Sequence, residues 1–313
     1  QLKFYADARH YGSSLEASLS RTNVPTAVYH NLIEAVHQNM DKMHRYVSLR
    51  KKLMGVEELH FYDVYTNLVK GVDKYIPIEE AKQTVYEALA PLGEEYRAIL
   101  KHGFENRWID VYENPGKRGG AYSSGARVHP FVLLNHSGTL KSQFTLAHEM
   151  GHALHSYFSN RTQKPLDSHY VIFVAEVAST CNEALLMEYL LNKTTDKRER
   201  AFLINHFLEQ FKGTLYRQTM FAEFELKMGE LVQAGVPLTA AKLCEEYRKL
   251  NELYFGPDMV CDERIAMEWA RIPPFYYDYY VFQYATGYSA AIALSQQILT
   301  EGEPAVKRYL EFL

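Results

Sequence analysis

From Leu140 onward the apolar residues recur every three or four positions with polar residues between them. A helix completes a turn in 3.6 residues, so this period predicts amphipathic helices over about residues 140–158, 170–192, 197–234, 239–254, 263–271, 276–299 and 303–312. The period also appears earlier. Val28, Leu32, Ile33, Val36, Met40, Met43 and Val47 predict one long helix over residues 25–53. Residues 78–104 predict another, opened after Pro77 and carrying Glu79 and Glu80 in its first turn, where the helix dipole favours negative charge. The stretch between them and Leu140 departs from this pattern. Residues 108–112 and 129–135 are short and rich in strand formers, and they flank a glycine-rich stretch, 115–125, that reads as a turn region. The expected fold is mainly α with one small sheet. No repeat, low-complexity tract or Pro/Ser linker divides the 313 residues, so a single domain over 1–313 is expected.

Composition narrows the function. With 47% hydrophobic and 23% charged residues the chain can bury a sizeable core. Its 34 basic and 38 acidic residues leave a net charge of −4, which argues against a nucleic-acid partner. No run approaches ~18 uninterrupted apolar residues, so no membrane span is expected. Cys181, Cys244 and Cys261 are odd in number and widely spaced. They are read as small buried hydrophobes in a reducing compartment, which places the protein in the cytosol. Gln1 opens the chain without a basic-then-apolar leader, and the helical pattern at its end carries no stop signal, so the chain is expected to be a fragment of a longer protein.

The chemistry lies in Thr145-Leu146-Ala147-His148-Glu149-Met150-Gly151-His152-Ala153-Leu154-His155. Inside a helix, positions i and i+4 share a face, so His148 and His152 can present two imidazole nitrogens to one metal ion. Glu149 stands about 100° round the helix, beside a water on that metal. A catalytic zinc needs a third protein ligand and one open position. Glu176 opens the next predicted helix twenty-four residues after His152, and two antiparallel helices can bring it to the ion. Six residues past the second histidine stands Phe158, not a further histidine, and His155 is expected to sit too far along the helix to share the ion.

His148-Glu149-Met150-Gly151-His152-Ala153-Leu154-His155, then Glu176-Val177-Ala178-Ser179-Thr180, then Tyr284-Ala285-Thr286-Gly287-Tyr288-Ser289-Ala290-Ala291 together resemble oligoendopeptidase F, in the M3 family of zinc metallopeptidases. Residues 14–19, 23–25 and 116–122 carry the likeness too, so that it runs almost end to end. The resemblance implies a helical, thimet-oligopeptidase-like fold, with a deep active site that takes short peptides and excludes folded proteins. It makes His148, His152 and Glu176 the ligands of one zinc ion and Glu149 the general base. Glu183, seven residues past Glu176 on the same face, is the candidate to orient a ligand imidazole.

Negative charge developing on the scissile carbonyl needs a donor. Tyr277, Tyr280, Tyr284 and Tyr288 fall at helical spacing, and Tyr277 and Tyr280 are the candidate donors. The family usually has His where this chain has Pro274, and often Tyr where it has Phe282. Gly120, Ala121 and His129 are the candidate substrate contacts, in a glycine-rich loop and in a strand whose open edge is expected to pair with an extended peptide. The resulting reading is a zinc endopeptidase acting on oligopeptides. Its rivals are another zinc amidohydrolase or carboxypeptidase, and a peptide-binding protein that keeps zinc without turnover.

Overall fold

Apolar periodicity and local breakers account for most of the elements seen in the computed structural model, which describes residues 1–69 and 74–313. In chain order the helices and strands are α1 (Leu2–Ala8), α2 (Ser14–Ser20), α3 (Thr26–His37), α4 (Met40–Met54), β1 (Leu59–His60), α5 (Ile78–Ala88), α6 (Gly93–Glu105), β2 (Ile109–Asp110), β3 (Tyr122–Ser124) and β4 (Phe131–Leu133). There follow α7 (Leu140–Thr162), α8 (Ile172–Lys193), α9 (Lys197–Gln210), α10 (Arg217–Gln233), α11 (Ala240–Phe255), β5 (Met259–Val260), α12 (Phe282–Glu301) and α13 (Glu303–Phe312). The expectation of a mainly helical chain with a small sheet holds.

The chain forms two compact units, Gln1–Lys70 with Asn205–Thr286, and Gly71–Ile204 with Gly287–Leu313. The first packs α10 with α3 and α11, burying Tyr29, Ile33, Met220, Phe224 and Tyr247. Its two-stranded sheet pairs β1 with β5 in parallel, Leu59 opposite Met259. The second centres on α7 and α8. Leu146, Ala147, Met150, Ala153 and Leu154 are all fully buried on α7, and each large apolar side chain so buried contributes about 1.5–3 kcal/mol. A three-stranded sheet of order β2-β4-β3 belongs to this unit, β4 running parallel to β2 and antiparallel to β3.

Five expected helices are broken or rewound, each at an identifiable place. The helix expected over 25–53 divides at Gln38 and Asn39, where the Asn39 side chain turns back to donate to the Ala35 carbonyl (2.9 Å) and the Asn39 carbonyl accepts from Tyr216 (2.8 Å). The one expected over 78–104 divides at Ala90–Leu92, because Pro91 has no N–H to continue the ladder and Gly93 takes φ +84°. Between α9 and α10 the expected 197–234 helix widens into a π-helix, Phe211–Tyr216, and residues 265–271 wind as a tighter 3₁₀ helix. The last break matters most for function. Residues 276–281 are not α-helical, so α12 begins at Phe282 and the expected tyrosine stripe keeps only Tyr284 and Tyr288 on that helix. Helices α1 and α2 and strand β3 are elements that periodicity does not mark.

Candidate metal centre

Thr139 caps α7, accepting the Ser142 N–H while Ser142 returns a bond to the Thr139 N–H. The helix then runs unbroken through His148, Glu149 and His152. α8 lies against it unusually closely. A Cβ on Gly151 would stand 2.5 Å from the Ser179 Cα and 2.7 Å from the Ala178 carbonyl oxygen, so only glycine permits this approach. Fully buried Asn182 fixes the register, donating to the Ala147 carbonyl (3.1 Å) and accepting from Tyr96 (2.9 Å). On the far side of Glu176, a Cβ on Gly287 would stand 3.3 Å from the Glu176 Cβ.

This packing brings His148, His152 and Glu176 together, one potential ligand atom from each lying within 4.8 Å of the others. The two Nε2 atoms are 3.2 Å apart, and Glu176 Oε2 stands 3.4 Å from that of His148 and 3.5 Å from that of His152. Ser179 donates to the same Glu176 oxygen (3.1 Å). Glu183 Oε1 meets His148 Nδ1 at 2.6 Å. A carboxylate can only accept there, so Nδ1 carries the proton and Nε2 is the atom turned to the cluster.

The electrostatics fit a cation site. Burial alone would strip the charge from His148, but the Glu183 hydrogen bond and the charges of Glu183, Glu176 and Glu149 outweigh it and push the imidazolium up to about 9. Burial opposes ionisation of Glu176 too, yet His152, His148 and Ser179 bring its carboxyl down to about 2. Glu149 is 6% exposed, with Oε2 buried and unpaired among the described residues. Burial raises its pKa against the opposing pull of His148 and His152, leaving a carboxylate readier to take a proton.

The other expected site residues differ in their settings. His155 is buried and stacked on Tyr170 (3.7 Å between centroids), outside the ligand group, and burial pushes it down to about 4. Gly120 (φ +84°) and Ala121 line a cavity of about 280 Å³ with Asn135, Lys141 and Thr145, against the first turns of α7. His129 is half-buried, its ring stacked parallel to Trp108 and its Nδ1 2.7 Å from the Pro130 carbonyl. The strand expected to offer an open edge does not: β4 is the central strand, paired on both sides, and the free edge next to the glycine-rich loop is that of β3. Tyr277 and Tyr280 belong to the first unit, the ligand cluster to the second. Gly151, Asn182 and Tyr96 stand out in neither the metal-ligand spacing nor the helical period. A glycine inside a strongly helical segment, costing about 1 kcal/mol there, was the available signal.

Comparison with known proteins shows the family. Residues 1–313 match the family described as Peptidase family M3. The chain is 54% identical over 311 residues to Oligopeptidase PepF of Bacillus subtilis, covering 99% of this chain and 46% of that protein. It is 45% identical over 309 residues to an Oligoendopeptidase F homolog of Lactococcus lactis, covering 98% and 51%. Among solved structures, oligoendopeptidase-F from Enterococcus faecium superimposes with a TM-score of 0.78 at 43% identity, over 99% of this chain and 49% of that one. The chain spans about half the length of the curated relatives it matches.

Proposed function

The chain belongs to peptidase family M3, and from that premise we propose that it is the catalytic portion of a zinc-dependent endopeptidase that hydrolyses internal bonds of oligopeptides. The observation that carries the reading is the convergence of His148, His152 and Glu176 from two closely packed helices. Two imidazoles and a carboxylate form the donor set of catalytic zinc sites that keep a position open. Bound there, zinc would polarise the scissile carbonyl and lower the pKa of a water from ~15.7 to about 7.

The chain's own residues do the rest. Glu149 takes the proton of the attacking water with its unpaired Oε2 and returns it to the leaving amine. Glu183 holds the Nδ1 proton of His148, which fixes the ring and keeps Nε2 free to ligate. Pro274 has neither a backbone N–H nor a side-chain donor, so donation to the developing oxyanion is assigned to Tyr277 or Tyr280. Gly120, Ala121 and His129 are assigned to substrate contact, with the free edge of β3 pairing to an extended peptide backbone. The three free cysteines fit a reducing compartment, and we place the protein in the cytosol. No helix among the described residues is long and apolar enough to cross a membrane.

Cleavage of an internally quenched peptide blocked at both ends tests this reading. Activity that disappears with a zinc chelator and returns with added zinc is expected. Cleavage only of peptides with a free C-terminus would indicate a carboxypeptidase instead, and peptide binding without products a binding protein.

A further inference from the structure

In the first unit two consecutive non-glycine residues lie in the left-handed region, Asp278 (φ 63°) and Tyr279 (φ 54°). Such backbone is costly for residues with a Cβ and persists where its surroundings over-determine it. Three helices do so here. From α10, buried Glu225 accepts the Tyr279 N–H (3.1 Å). From α2, Ser18 donates to the Asp278 carbonyl (2.9 Å) and Ser14 meets the Tyr279 hydroxyl (3.0 Å), while Arg21, just past its end, reaches Asp278 Oδ2 (3.0 Å). From α3, Tyr29 lies edge-on to the Tyr279 ring, 5.8 Å between centroids. Gly229 on α10 makes the room for that ring, since a Cβ there would stand 2.1 Å from the Tyr279 hydroxyl oxygen.

The turn sorts the tyrosines. Tyr279 is driven inward, 5% exposed, while Tyr277 stays 64% exposed. Tyr280 lies edge-on to Tyr277 on one side (6.0 Å) and to Tyr284 on the other (5.4 Å). Right-handed backbone at 278 and 279 would instead let α12 extend backward and put Tyr277 and Tyr280 on its stripe, as periodicity alone predicts.

We propose that Glu225 and Gly229 are positioning residues for the reaction: by seating the Tyr279 amide and ring against α10 they hold the Asp278–Tyr279 turn left-handed and so set the directions of Tyr277 and Tyr280. This rests on the assignment of those two tyrosines to the reaction. Burial pushes the Glu225 carboxyl up to about 8, so at neutral pH it is mainly the neutral acid, accepting through one oxygen as a glutamine would.

The test uses the 313-residue chain carrying 3-fluorotyrosine, with the ¹⁹F resonances assigned by single Tyr→Phe changes, and reads kcat, KM and bound zinc alongside. Gly229→Ala should move the Tyr277 and Tyr280 resonances and lower kcat roughly tenfold to a hundredfold, with KM little changed and zinc retained. Tyr279→Phe added to Gly229→Ala removes the clashing hydroxyl and should restore both. Glu225→Gln should keep the wild-type spectrum, whereas Glu225→Leu should move the same two resonances, which decides the matter even where Gly229→Ala does not fold. Unmoved Tyr277 and Tyr280 resonances in a folded Gly229→Ala or Glu225→Leu protein, or no recovery in the double variant, would overturn the proposal. A wild-type chain that cuts no peptide would sink the catalytic assignment of the tyrosines, while the spectra still decide what sets the turn.

Discussion

The helix pair α7 and α8 and the segment 273–281 each hold candidate functional side chains, by opposite means. In the pair, regular backbone does the placing. An i, i+4 spacing puts His148 and His152 on one face, Gly151 lets the second helix come within backbone contact, and Asn182 fixes the slide between them. In the segment, prolines, a 3₁₀ turn and two left-handed residues break the helical pattern, and the tyrosines point where distant side chains hold them. Regular placement rests on local spacing and one close approach. Irregular placement rests on several tertiary contacts, drawn from helices distant in the sequence.

The largest expected effect is on the regular side. His152→Ala removes one of the three proposed ligands, so stoichiometric zinc and all measurable turnover should disappear; zinc retained at one per chain by elemental analysis would show that the ligand set is wrong. Glu149→Gln should keep zinc and lower kcat by roughly 10²–10⁴-fold, and near-normal turnover would remove Glu149 from the base role. Glu183→Gln should weaken zinc binding by about 10–100-fold in a competition titration, because the His148 ring loses the carboxylate that fixes its proton. Unchanged affinity would leave Glu183 without that role.

The smaller effects bear on packing. Gly151→Ala drives a methyl group into the Ser179 backbone, where no side chain can rotate away, and should cost about 1–3 kcal/mol in denaturant unfolding. Gly213→Ala, which meets nothing within 4 Å, is the control and should be neutral or slightly stabilising. Equal effects at the two glycines would break the close-approach account. On the irregular side, the folded-state pKa of Glu225 is raised to about 8 from 4.5 by burial. The native state therefore holds a proton that the unfolded chain releases, and stability should fall as pH rises from about 4.5 to about 8, by about 1 kcal/mol per pH unit. Glu225→Gln should flatten that slope. A wild-type stability profile already flat over this range would show that Glu225 does not titrate there.

The same contrast explains what could be read in advance. His148, Glu149, His152, Glu176 and Glu183 were legible because helical spacing and one helix-to-helix loop suffice to converge them. The division at Asn39 was not, because it depends on a side chain folding back to Ala35 and on Tyr216, far away in sequence. Strand β3 hides in a glycine-rich stretch with weak strand propensity and exists because β4 offers it partners. For the same reason β4 proved central where an edge was expected. Tyr277 and Tyr280 obey the helical period in the sequence, but Glu225, Ser18 and Arg21 hold the backbone between them out of the helix.

The most direct test of the central claim is an anomalous difference map, measured at the zinc edge, from a crystal of the zinc-loaded chain. The account predicts one strong peak bonded to Nε2 of His148, Nε2 of His152 and a carboxylate oxygen of Glu176, with Glu183 retained on His148 Nδ1. A peak elsewhere, or no peak between those three side chains in zinc-loaded protein, would contradict it.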